Sequence, residues 1–185
     1  NDCRLGKSEC LSISVPSQKR RGRYPMTTPS ATKRRIADVY GAADYPVVAH
    51  ASLEVSSDLG ELARVREFVR HVCRELDGPA LDETSTTEVQ LAATEAASNI
   101  MRHAYGGDTS RRIDVLGEVR DDRVAIAFAH DGEQYEPGEV AEPEVDPATQ
   151  GGLGLYIMQK ILDDVVHSDQ NSHRPSTTLI KNRQR

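Results

Sequence analysis

From Val48 to Val55 apolar and polar residues alternate as Val-Ala-His-Ala-Ser-Leu-Glu-Val, the two-residue period of a strand with one buried face. The period then lengthens. Leu62, Val65, Phe68, Val69 and Val72 recur at helical spacing and predict a helix over about residues 59–76, capped by Ser57 or Asp58 and ended by Asp77-Gly78-Pro79. A second helix is predicted over about residues 85–104, with Val89, Ala93, Ala96, Ala97, Ile100 and Ala104 on its buried face. Gly106-Gly107-Asp108 reads as a turn. Two strands follow, Arg112 to Val119 and Arg123 to Ala129, joined through Arg120-Asp121-Asp122. Residues 131–151 lack a period and hold Pro137, Pro143 and Pro147 with seven acidic residues, so they read as a long functional or disordered loop. A third helix is predicted from Leu153 to Val166 and a last strand from Thr177 to Lys181. The order β-α-α-β-β-loop-α-β predicts a two-layer α/β (α+β) sandwich: one mixed, mostly antiparallel sheet with helices on one face.

Composition narrows the class. The chain has 185 residues, 37% of them apolar, which suits one domain with a sizeable core and some additional tail. No apolar run approaches the roughly 18–20 residues of a membrane span, and the first residues lack the apolar centre of a signal peptide, so a cytoplasmic protein is expected. Cys3, Cys10 and Cys73 have no metal-ligand spacing and are expected to be free thiols. Tryptophan is absent and aromatic residues make up 4%, which disfavours base-stacking platforms.

Charge separates a tail from a body. Residues 1–35 carry nine of the 23 Lys and Arg but only two of the 29 Asp and Glu, leaving 14 basic and 27 acidic residues for the rest. The body is therefore acidic and unsuited to nucleic acid as its main partner. Residues 1–46, rich in Ser, Pro, Thr and basic residues, are read as a poorly ordered basic tail in which Met26 is a candidate start; residues 47–185 form the domain.

Three motifs carry candidate chemistry. At about 100° per residue, positions four apart drift by only about 40°, so Glu95, Asn99 and His103 stack along one edge of the second helix. A carboxylate can take a proton there, and a carboxamide oxygen is a hard ligand suited to Mg²⁺; a merely solvated edge has the same spacing. Gly151-Gly152-Leu153-Gly154-Leu155 runs into a helix start, where free N–H groups suit a phosphate, although a tight turn has the same composition. His130-Asp131-Gly132 ends an apolar strand, a place for a functional loop or an ordinary Asp-Gly turn.

Taken in order, these motifs carry a resemblance. Glu95-Ala-Ala-Ser-Asn99-Ile-Met-Arg-His103-Ala-Tyr105, Tyr135-Glu136-Pro137, and Gly151-Gly152-Leu153-Gly154-Leu155-Tyr156-Ile157 with Leu162-Asp163-Asp164-Val165 resemble the bacterial anti-sigma factor serine kinases. These belong to the superfamily of gyrase, heat-shock chaperone, histidine kinase and MutL ATPases, and the likeness covers roughly residues 48–182. The resemblance implies a Bergerat ATP-binding fold holding Mg-ATP between helices and sheet. It implies Glu95 as general base, Asn99 as holder of Mg²⁺ against the phosphates, and the Gly151, Gly152, Leu153, Gly154 and Leu155 segment as phosphate-binding. Residues 133–150 would form a lid, and Thr177 would lie near the adenine. It also implies that the protein phosphorylates a serine of a small antagonist (a STAS-type protein) and sequesters a sigma factor, so that its partners trade places. A homodimer is implied in the same way.

One position departs from the pattern. The family's middle motif is Asp-x-Gly, whose Asp accepts a hydrogen bond from the adenine amino group. Aligned on Gly132, that place holds His130, with Asp131 in the variable position. A neutral histidine offers one donor and one acceptor, whereas a protonated one offers donors only. Neighbouring strand residues face opposite sides, so Asp131 replaces the acceptor only if the strand bulges. A second function is therefore carried beside the kinase: a fold-retaining binding module that regulates a sigma factor or another partner by exchange alone. His50, His71, His167 and His173 have no mutual metal spacing and are expected on the surface or packed.

Overall fold

The structure is a computed structural model and describes residues 12–14, 47–74, 76, 80–133, 153–167 and 174–183. The strands are β1 (Ser12–Ser14), β2 (Val47–Ser56), β3 (Arg112–Arg120), β4 (Arg123–His130), β5 (Asp164–His167) and β6 (Ser176–Asn182). They form one sheet in the order β1-β2-β3-β4-β6-β5. Every pairing is antiparallel among the described residues, so the sheet holds none of the parallel pairs that a mixed sheet allows.

The helices are α1 (Leu62–Arg74), α2 (Glu83–Asn99) and α3 (Leu153–Ile161). A 3-10 turn, Leu59–Glu61, leads into α1, and Asp58 caps it by accepting from Gly60 N at 2.7 Å. Asp82 caps α2 by accepting from Ser85 N at 2.7 Å, so this helix starts two residues before its predicted start at Ser85. That bond is the first cause holding the Asp82 carboxyl below the usual carboxylate range. In α1, Val65, Phe68, Val69 and Val72 are buried, as their spacing predicts, and Leu62 is partly buried.

All three helices pack on one face of the sheet: α1 against β2, β3 and β4, α2 against β4 and β6, and α3 against β5. Phe128, Met101, Ile113, Ile126 and Leu179 fill the space between the layers. The layers approach closely at Gly117, where a Cβ would stand 2.5 Å from Val72 Cγ2. On the opposite face, Ala125, Ala127 and Ile180 form a smaller cluster with Leu116, and Glu118 and Arg120 make a buried ion pair at 2.6 Å.

Two elements differ from the sequence reading. The third helix stops at Ile161 rather than Val166, and Asp164–His167 becomes edge strand β5, paired with Thr177–Ile180 of β6. The helical period fits Val165 and Val166 equally well, but Asp163 N bonds to Ile180 O at 3.1 Å and draws the chain into the sheet. Within the segment read as poorly ordered, Ser12–Ser14 pairs with residues 50–52 of β2. The alternation Leu11-Ser-Ile-Ser-Val15 suits that strand and is lost in the polar composition around it. The remainder of residues 1–46, Cys3 and Cys10, the stop at Gly78-Pro79, the lid residues 134–150 with Tyr135-Glu136-Pro137, Gly151, Gly152 and His173 lie outside the described residues. Cys73 is free and buried, and burial pushes its thiol up to about 12, which keeps it unreactive. No helix among the described residues is long and apolar enough to cross a membrane.

Candidate functional site

The second helix does not end as a regular α-helix. Residues Ile100–Ala104 form a π-helical turn closed by Tyr105 N to Ile100 O at 3.0 Å, and Gly106 and Gly107 follow with φ of 57° and 83°. Such a turn widens the helix end, a distortion found often at functional sites. Here it brings Ala104 O against the β4 end, where it accepts from Glu133 N at 3.2 Å.

A cleft lies between this helix end, α3 and the sheet. Ala96, Asn99, Ile100 and Ala104 form one wall, and Leu155 and Met158 of α3 form another. The sheet contributes His130, His167, Ser176 and Thr177, with Pro175. The cleft is narrow between these walls and opens to solvent at its mouth.

Asn99, His130, Leu155 and Thr177 are thus brought to one cavity from four separate elements. Glu95 stands one turn before Asn99. Its Oε2 atom lies 2.5 Å from where a Cβ on Gly154 would be, so the carboxylate lies against the first turn of α3. No described residue hydrogen-bonds the side chain of Glu95 or Asn99, and both are half-buried. His103, the third member of the polar line, is exposed at the helix end.

Among the described residues no group of three or more His, Cys, Asp or Glu is placed to hold a metal ion. The donors do fit an ion carried in by a ligand. Asn99 offers one hard oxygen, and Mg²⁺ commonly takes one or two protein ligands with the rest from phosphates and water.

The β4 end is held tightly. His130 pairs with Ile113 in unbroken register, so no bulge turns Asp131 inward. The Asp131 carboxylate accepts instead from Arg174 Nε at 2.6 Å, and the same guanidinium reaches Asp114. Asp131 N donates to the Tyr105 hydroxyl at 3.0 Å, and that hydroxyl donates to Arg112 O at 2.5 Å. Gly132 packs so closely that a Cβ would stand 2.5 Å from Ala104 O and 2.8 Å from Tyr105 Cδ1.

His130 itself is only 4% exposed, its ring edge-to-face with Tyr105 at 5.8 Å between centroids. Gly132 N donates to His130 Nδ1 at 3.2 Å. Burial, reinforced by the Arg174 charge and partly opposed by Asp131, pushes the imidazole down to about 4, so it is neutral at pH 7. His167, expected to be a surface or packed residue, lines the cleft. Its Nδ1 lies 3.0 Å from Thr177 Oγ1, and burial lowers its pKa as well. Tyr105, Arg174 and His167 are among the site residues that the sequence reading gave no role. Tyr105 lies within the helix motif, but the reach of Arg174 to Asp131 spans 43 residues and has no local signal.

Comparison with known proteins identifies the family to which the chain is similar. The model of the histidine kinase-like ATPase domain family matches residues 55–181. A serine-protein kinase RsbW of Bacillus licheniformis is 31% identical over 106 residues, covering 53% of this chain and 66% of that protein. The serine-protein kinase RsbW of Bacillus pumilus is 30% identical over 108 residues, with coverage of 53% and 67%. That of Bacillus subtilis is 28% identical over 86 residues, with coverage of 42% and 54%. The matches therefore span about half to two thirds of these relatives. Among solved structures, the RsbU and RsbW domains of Rv1364c from Mycobacterium tuberculosis align with a TM-score of 0.50 at 17% identity, covering 72% of this chain and 33% of that one; this likeness concerns the fold alone.

Proposed function

The chain belongs to the histidine kinase-like ATPase domain family, and from that premise we propose that it is an anti-sigma regulatory serine kinase. In this reading it binds a Mg²⁺-bound purine nucleoside triphosphate, ATP being the family's, and transfers the γ-phosphate to a serine of an antagonist protein. It sequesters a sigma factor when the antagonist is phosphorylated, and acts as a pair of chains. The likeness to serine-protein kinases supports the reaction, and the resemblance to anti-sigma factor kinases supports the partners.

The observation that carries the reading is Asn99 on the wall of the cleft with the Glu95 carboxylate one helical turn before it, against Gly154 of α3, and neither side chain bonded within the described residues. Bound Mg²⁺ would neutralise charge on the phosphates, and Asn99 is the residue that would hold it. Glu95 takes the proton of the attacking serine hydroxyl onto its carboxylate as the oxygen bonds to the γ-phosphorus and the bond from that phosphorus to the bridging oxygen breaks, the nucleoside diphosphate leaving with the electron pair. The first turn of α3 presents unsatisfied N–H groups beside that carboxylate and orients the phosphates. The apolar wall of Leu155, Met158, Ile100 and Ala96 excludes water from the base side of the cleft.

The test is phosphoserine formation on an antagonist protein by the purified chain with Mg²⁺ and triphosphate, beside Glu95→Gln. Product from the native chain and its loss in Glu95→Gln support the reading; no product from either overturns it. His130 favours a second reading, a binding module that regulates by exchange without efficient transfer. Stable sigma-factor binding without phosphoserine is its signature.

A further inference from the structure

The polar atoms of His130 are not equivalent. Nδ1 accepts from Gly132 N at 3.2 Å, and the turn that supplies this N–H cannot shift easily. Gly132 is wedged against Ala104 O and Tyr105, Asp131 N is tied to the Tyr105 hydroxyl, and His130 N is bonded to Pro175 O at 3.1 Å. A ring nitrogen that accepts is unprotonated, so the proton of the neutral ring is on Nε2. No described residue bonds Nε2, and the ring lines the cleft. The sheet end of the cleft therefore presents an N–H donor. The nearest carboxylate, Asp131, is turned onto Arg174 and supplies no acceptor there.

We propose that the Nε2–H of His130 selects a purine carrying a carbonyl at C6, so that the cleft takes an inosine- or guanosine-type triphosphate ahead of ATP. This rests on the nucleotide-binding reading above and names the base. A C6 carbonyl accepts the imidazole proton, whereas an adenine amino group at the same point sets N–H against N–H and leaves both donors without acceptors in a half-closed site.

ITP and ATP differ at C6 and in the proton on N1, which makes them the direct probes. Calorimetric titration of the full chain with Mg²⁺ and each of ATP, ITP and GTP is expected to give ITP on the order of tenfold tighter binding than ATP. His130→Asp, which offers acceptors only, should reverse the order. His130→Asn, which offers both a donor and an acceptor, should bring the two nucleotides within about threefold of each other. Thermal melts of each variant establish that it is folded. Native binding of ATP as tight as or tighter than ITP overturns the proposal and leaves the kinase reading standing, as does equal binding of all three nucleotides that His130→Asp leaves unchanged. No binding of any triphosphate by the folded native chain overturns both.

Discussion

The Oε2 atom of Glu95 occupies the space that a side chain on Gly154 would need, 2.5 Å from an ideal Cβ. The carboxylate proposed as general base and the helix start proposed to bind phosphate thus meet at a point where only glycine fits without displacing the carboxylate. Glu95→Gln is expected to lower phosphoryl transfer by roughly 10²–10⁴, the usual contribution of a general base, while leaving nucleotide binding near native. Gly154→Ala should lower transfer as well, by displacing Glu95, yet leave stability within about 1 kcal/mol, because a long flexible side chain yields first. Phosphoserine rates beside urea melts separate the two effects. Native rates in Gly154→Ala would refute the contact as a functional one.

Asn99 is the one lining residue of the helix wall, among the described residues, whose side chain carries a hard oxygen, so its role is expected to appear in metal dependence rather than in base binding. Removing Mg²⁺ should weaken triphosphate binding by the native chain by about tenfold, or ~1.4 kcal/mol. Asn99→Ala should bind in Mg²⁺ about as weakly as the native chain does without it. Calorimetry with and without a chelator measures both arms, and an unchanged Mg²⁺ response in the variant would count against this assignment.

Asp131 stands next to His130 in the chain but serves the opposite side of the strand, on Arg174. Asp131→Ala is expected to leave triphosphate affinity within about threefold of native. Stability should fall by no more than ~1 kcal/mol, since the carboxylate is exposed. A larger loss of affinity would mean that the carboxylate turns into the cleft in solution.

Much of this arrangement is legible along the chain because it is local. The face of α1 follows from the spacing of Val65, Phe68, Val69 and Val72, and the Glu95–Asn99 edge follows from one helical turn. The unlike environments of His130 and Asp131 follow from strand alternation. What escapes is set at long range or by a few atoms. Val165 and Val166 fit a helical period as well as a strand, and only the bonds to β6 decide between them. Arg174 acquires its role from Asp114 and Asp131, 60 and 43 residues away. The tautomer of His130 depends on where Gly132 N points, which no composition reveals.

Gly117 tests the closeness of helix and sheet independently of the site. A Cβ there would stand 2.5 Å from Val72 Cγ2 and 3.0 Å from Cγ1, and the branched valine has no long arm to swing aside. Gly117→Ala reduces the freedom of the unfolded chain, a gain of about 0.4–1 kcal/mol, but overpacking costs about 1–3 kcal/mol and should win. A net loss is expected in urea denaturation, and Val72→Ala combined with Gly117→Ala should cost less than the sum of the single changes. Simple additivity would show that the layers part easily.

His130 also links stability to pH. Its pKa falls from 6.5 when unfolded to about 4 in the fold, so between those values the unfolded chain binds the extra proton. Stability must then rise with pH across that window and fall as the solution is acidified from about 6.5 toward 4, flattening below. His167, also lowered by burial, adds a change of the same sign. Solvent at the mouth of the cleft screens the penalty, which limits the His130 share to on the order of 1–2 kcal/mol. Urea melts at pH 7, 5.5 and 4.5 should therefore show a steeper loss for the native chain than for His130→Asn, which has no proton to gain there. Parallel curves for the two proteins would mean that the imidazole titrates freely and that its ring is not held at the bottom of the cleft by Gly132 and Tyr105.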